Sequence, residues 1–160
     1  MYNTIYYLNN CVIEIYMSGD IIKNISILPT PDPKNIITSE SGNYIYIYFK
    51  EDSTFTYTGP NELTDVDLLV VGGGGPGGMY SGNGAGSGGG GGGEVITEII
   101  SIDNNNTTIG IIIGSATSTN DNTNGNQSSF MIGTAAPITA GGGGRGGDYP
   151  GTVNAGQITI

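Results

Sequence analysis

The chain has no histidine and no tryptophan, one cysteine, and only 4 lysines and arginines against 14 acidic residues. Without histidine there is no His-based triad, no imidazole general base and no histidine metal site. The single cysteine, Cys11, excludes disulfide and thiolate–zinc frameworks within the chain. It lies in an apolar stretch and reads as a small buried hydrophobe. The net charge of −10 comes with no basic cluster. Neutralising phosphates takes Lys and Arg, so neither nucleic acid nor an anionic membrane surface is an expected partner.

No apolar run approaches the ~20 residues of a membrane-spanning helix. The first residues lack a positively charged segment, and Glu14 interrupts the apolar run that would serve as a signal core. The chain is therefore expected to stay in the compartment where it is made.

Glycine supplies 30 of the 160 residues, against a usual share of about 7%. Ile, Asn and Tyr are also abundant, while helix-forming Ala and Leu are scarce. Ile, Val, Tyr and Thr suit pleated strands, so the expected class is all-β. A chain of 160 residues makes one domain with at most a small appendage and buries a core without staples.

Residues 12–17 and 21–28 flank Ser18-Gly19-Asp20 and read as a hairpin. The three prolines in 29–33 then form a stiff break. These features divide the chain into an N-terminal strand or hairpin segment with its Pro-rich linker, 1–35, and a glycine-rich β domain, 36–160. In 44–49, Tyr44, Tyr46 and Tyr48 alternate with Ile45, Ile47 and Phe49. One face is aliphatic and the other phenolic. The three tyrosines are candidates for surface contact with a sugar or partner, or for a half-buried sheet face or subunit interface. Phe55 and Tyr57 alternate with threonines and suggest the second arm of a hairpin with 44–49. Residues 66–71, 95–102, 107–113, 129–132 and 157–160 read as further strands, and 115–127 as an exposed polar loop.

Three glycine tracts punctuate this pattern. Residues 72–78 are interrupted only by Pro76, 82–93 end in six consecutive glycines, and 141–147 are broken only by Arg145. Ordering glycine is entropically costly, so a long run is either a loose linker or a special regular structure. Each tract abuts apolar strand (Val70-Val71, Val95-Ile96, Ile138-Thr139-Ala140), which pins its ends to a sheet. Glycine readily adopts polyproline II, with three residues per turn and no internal hydrogen bonds. Several such helices side by side satisfy one another's amides, and without side chains they approach closely. The expected assembly positions are Gly72, Gly73, Gly74, Gly75, Gly88, Gly89, Gly90, Gly91, Gly92, Gly93, Gly141, Gly142, Gly143 and Gly144. Collagen is excluded, because the glycines are consecutive rather than every third.

The order Asp65-Val66-Asp67-Leu68-Leu69-Val70-Val71 into Gly72-Gly73-Gly74-Gly75-Pro76-Gly77-Gly78, then 88–93 with Glu94-Val95, Ser128-Ser129-Phe130 and Ala140-Gly141-Gly142-Gly143-Gly144, resembles the glycine-rich domain of phage tail-fibre and adhesin proteins and of giant-virus structural proteins. A related arrangement occurs in the glycine-rich region of anaplastic lymphoma kinase. The resemblance covers roughly 36–160. It implies a β-sandwich of jelly-roll or TNF-like kind with inserted polyglycine II helices, in trimeric or polymeric assemblies used for structure or attachment. The third tract is shorter than the family pattern.

Three other patterns have duller readings. Residues 67–71 followed by glycines mimic a dinucleotide-binding turn, with Asp103 as the ribose acid, but Met79-Tyr80-Ser81-Gly82 and the glycines beyond cannot build the required helix. Residues 143–148 match the start of a calcium-binding nonapeptide repeat, yet there is a single copy with Pro150 where a large apolar residue belongs. Asp65 and Asp67 are expected on one face of a strand start, solvating it.

The expectation is then a non-enzymatic structural component of a virus or phage particle (capsid, fibre or tail), assembled in the cytoplasm, with no catalytic, metal or cofactor residues. Its expected partners are copies of itself and other particle proteins, with a host receptor or glycan as a further candidate. The alternative is a receptor- or carbohydrate-binding adhesin module, and the third reading is a dinucleotide-binding enzyme.

Overall fold

The structure is a computed structural model that describes residues 13–18, 25–28, 36–41, 44–58, 61–79, 87–104, 107–118 and 123–148, with side chains from residue 47 onward. The described chain is all-β. Its ten strands are β1 (Ile13–Ser18), β2 (Ile25–Leu28), β3 (Ile36–Ser41), β4 (Tyr44–Phe49), β5 (Ser53–Tyr57), β6 (Leu63–Val71), β7 (Val95–Ile102), β8 (Thr107–Ile112), β9 (Ser128–Ile132) and β10 (Ile138–Ala140). They form two antiparallel sheets of five, in the orders β3-β4-β1-β6-β7 and β10-β9-β8-β5-β2.

Two expected hairpins are not formed. β1 pairs with β4 and β6, whereas β2 pairs with β5 in the other sheet. Likewise β4 turns back onto β3, a strand without a clear period in the sequence, and β5 crosses to the second sheet beside β8. Alternation specifies which side of a strand is apolar; it does not specify which neighbour the strand takes. The expected strand at 157–160 lies outside the described residues.

The alternation itself survives. Ile47 and Phe49 are buried and Tyr48 is half-buried, while Ser53, Phe55 and Tyr57 face inward on β5. Ile47, Phe49, Leu63, Val66, Leu68, Val70 and Ile102 of the first sheet share one core cluster with Phe55, Tyr57, Ile109, Ile111, Phe130 and Ala140 of the second. Burying each large apolar side chain contributes roughly 1.5–3 kcal/mol, so this cluster is the main source of stability among the described residues. The Tyr57 hydroxyl, carried into the core, donates to the Asn61 carbonyl at 2.7 Å, which removes the penalty of an unpartnered buried group.

β6 carries a bulge. Its register against β7 shifts between Leu63 and Val66, and Asp65 takes φ 56°. A regular strand would put Leu63 on the opposite side from Val66, Leu68 and Val70. One extra residue resets the phase, and all four are buried. Asp65 and Asp67 are both exposed, with Asp65 in the bulge and Asp67 in the regular ladder beyond it.

Candidate functional site

β6 and β7 are antiparallel neighbours with Val71 opposite Val95, and both run past the sheet as glycine. The ladder continues directly: the Gly72 amide donates to the Glu94 carbonyl at 2.9 Å. Residues 141–147 enter the same region from β10 of the other sheet. The glycine layer therefore stands at the common end of both sheets.

Within it, hydrogen bonds recur every third residue. The amides of Gly72, Gly75 and Gly78 donate to the carbonyls of Glu94, Gly91 and Gly88, at 2.8–2.9 Å. The amides of Gly88, Gly91 and Glu94 donate in turn to Gly147, Gly144 and Gly141, at 2.8–3.0 Å. The amides of Gly143 and Gly146 close the circuit by donating to Gly73 and Pro76, at 2.7 and 2.9 Å. Each segment donates to the next around a triangle, and three residues per turn is the repeat of polyproline II. Pro76 interrupts the first tract without harm, because its fixed φ near −65° is close to that backbone and its carbonyl is what the contact uses.

The same period governs where side chains fit. A Cβ on Gly72, Gly75 or Gly78 would overlap the backbone of Gly141, Gly144 or Gly147, and one on Gly90 or Gly93 would overlap Gly75 or Gly72. Gly142 and Gly143 are blocked by Gly125 and Gly91, and Gly73 by Ser115. Gly88 and Gly91 are tight, at 2.9 and 3.2 Å from Gly147 and Gly144, and Gly141 is 3.3 Å from the Glu94 carboxylate. Gly89 and Gly92 meet nothing within 4 Å, and Gly74 meets only the Gly91 carbonyl at 4.0 Å. The middle segment thus has one face against each neighbour and one open face, and its residues 88–92 are exposed.

Two side-chain clasps hold the ends. At the sheet junction Glu94 touches both other segments: its amide and carbonyl join the circuit, and its Oε2 accepts the Gly141 amide at 2.7 Å. At the far end the Asp148 carboxylate accepts from the Met79 amide at 2.6 Å and pairs with Arg145, whose side chain is buried. The Arg145 guanidinium and the Met79 amide, outweighing burial, hold the Asp148 carboxyl below its usual range. In 143–148, Asp148 thus faces Arg145, three residues away. Among the described residues no cluster of three or more metal-ligating side chains occurs.

Part of the layer has no glycine run to announce it. The stretch 115–127, expected as an exposed loop, contributes to the packing at both ends. The Gly73 amide donates to the Asn126 carbonyl at 2.8 Å, the Gly125 amide to Gly143 at 2.8 Å, and the Thr117 amide to Gly74 at 3.3 Å. The missed signal is Gly114 and Gly125, whose Cβ positions are blocked by residues 126–127 and by Gly73-Gly74 respectively. Ser128, fully buried, ties this stretch to the sheet: its hydroxyl donates to Val71 at 2.6 Å and accepts the Gly114 amide at 2.8 Å.

Residues 72–79, which the dinucleotide reading places in a turn before a helix, run extended through the layer, and no helix follows β6 among the described residues. Tyr44, Tyr46 and Tyr48 sit apart from the glycine layer, on β4, in register with Ser18, Tyr16 and Glu14 of β1. Of the expected second tract, 82–86 lie outside the described residues. Residues 50–159 match the family model described as "Glycine-rich domain". No curated protein and no solved structure matches the chain.

Proposed function

The chain belongs to the glycine-rich domain family, and from that membership and the geometry we propose that it is a structural building block of a virus or phage particle: a two-sheet sandwich whose three glycine segments are polyglycine II helices packed as a rigid layer. The observation that carries this reading is the hydrogen-bond circuit repeating every third residue between 72–78, 88–94 and 141–147. Backbone amides bonded in three directions, with no side chains between them, make a stiff spacer that a loose linker cannot match. The layer is filled by its own backbone, so it offers assembly rather than chemistry. In this proposal the chain associates with its own copies and with other particle proteins, and carries no cofactor.

Size-exclusion chromatography with light-scattering detection tests the proposal. A stable trimer or larger polymer is expected, and a monomer at all concentrations would remove the assembly reading. The second reading, an adhesin module, draws on the row that β-pairing builds across the first sheet, where Tyr46 is in register with Tyr16 and Tyr16 with Asp67. Glycan-array binding by a monomeric protein, lost on replacing Tyr46 with Ala, is the result that would favour it.

A further inference from the structure

Asn124 and Gly125 form an Asn-Gly pair, the dipeptide most prone to spontaneous imide formation, because glycine puts no side chain in the way of its own amide. Here both reacting groups are occupied by the glycine layer. The Gly125 amide donates to the Gly143 carbonyl at 2.8 Å. The Asn124 side-chain Oδ1 accepts the Arg145 amide at 3.0 Å. Gly125 is also wedged against Gly73 and Gly74, whose carbonyls leave no space for a Cβ on it. Asn124 itself is exposed, so what restrains the reaction is bonding rather than exclusion of water.

We propose that Asn124 is a deamidation site that the glycine layer holds closed, and that its rate of conversion reports the fraction of time the layer spends open. In the step itself the Gly125 amide nitrogen loses its proton and bonds to Cγ of Asn124. The bond from Cγ to the side-chain nitrogen breaks, and ammonia leaves carrying that proton. Water then cleaves one of the two imide C–N bonds, giving aspartate or isoaspartate. Donation to Gly143 opposes the first event, since a deprotonated nitrogen forfeits that bond. The bond from Arg145 opposes the second, since Cγ must swing toward the backbone. The isoaspartyl product adds one backbone carbon before Gly125. That extra carbon puts Gly125 and Asn126 out of step with Gly143 and Gly73, so an opening that ends in isoaspartate is one-way for the layer.

The test compares folded protein with a synthetic peptide of residues 120–129 in the same mildly alkaline buffer, by mass-spectrometric peptide mapping over time. Conversion at Asn124 is expected at least about tenfold slower in the folded protein, the factor that a local opening free energy of about 1.4 kcal/mol imposes. Equal rates, or no conversion in either sample, would overturn the proposal. A second measurement separates the products. Asn124→Asp keeps the backbone length and is expected to melt close to wild type, whereas protein enriched in isoaspartate by ageing while unfolded is expected to refold with a lower melting midpoint. Equal midpoints for the two would overturn the one-way claim.

Discussion

The Gly75 amide donates to the Gly91 carbonyl at 2.9 Å, and the Gly75 carbonyl fills the space that a Cβ on Gly90 would need. One contact thus demands glycine at 90 while leaving its neighbour, 89, open. That contrast is the sharpest property of the layer.

Gly90→Ala and Gly93→Ala are expected to lose stability by about 1–3 kcal/mol or more, as backbone is pushed apart. Gly89→Ala and Gly92→Ala have room and are expected to be neutral, or to gain about 0.4–1 kcal/mol from a less flexible unfolded chain. Urea unfolding of the four variants checks this. Similar midpoints across all four would mean that the period-three packing is wrong.

Asp65 holds a left-handed backbone at the β6 bulge, where an ordinary L-residue costs about 1–2 kcal/mol. Asp65→Gly is expected to raise the thermal midpoint and Asp65→Val to lower it. A stabilising valine would contradict the bulge geometry. Gly133, also left-handed and sterically free, offers a parallel check, since Gly133→Ala is expected to lower the midpoint by conformation alone.

Ser128→Ala strips one buried hydroxyl that serves both the Val71 carbonyl and the Gly114 amide. Leaving buried polar groups unpartnered costs about 1–3 kcal/mol, and that loss is expected in denaturant titration. A change within a few tenths of a kcal/mol would show that water replaces the hydroxyl.

The Asp148 carboxyl titrates lower in the folded protein than its ordinary value of 3.8, because Arg145 and the Met79 amide favour its charged form. A depressed folded value means stability that is fully present above 3.8 and lost as pH falls through the lower folded value. Asp148→Asn is expected to be less stable than wild type near neutral pH, with the gap closing as pH drops below 3.8. Unfolding midpoints of both proteins across the acid range measure the gap, and a gap independent of pH would refute the assignment.

The class of the fold was legible in the residues. Alternation grouped Ile47 with Phe49 and Phe55 with Tyr57 on one face of their strands, and all four are buried. The boundaries of the glycine tracts were visible too, as was the need for closely packed partners to satisfy their amides. Less visible were β3, whose Ile36–Ser41 has no clean period, and the contribution of 115–127, where Gly114 and Gly125 are scattered among polar residues that read as loop.

That strands form, and which of their sides is apolar, follows from the residues alone, because a period of two is a local property of the chain. The tracts are likewise nearly bare of side chains, Pro76 and Arg145 among the few exceptions, and so can lie close together. That β1 joins β4 and β6 while β2 joins β5, and that 141–147 arrive from the other sheet to bond with 72–78 and 88–94, is settled in three dimensions. Those choices depend on distant segments meeting in space, and the tracts, all glycine-rich, carry no side-chain pattern that would say which tract neighbours which. The reason Gly90 is indispensable and Gly89 is not lies in that same meeting: the two are identical in sequence and differ only in which of three faces looks at a neighbour.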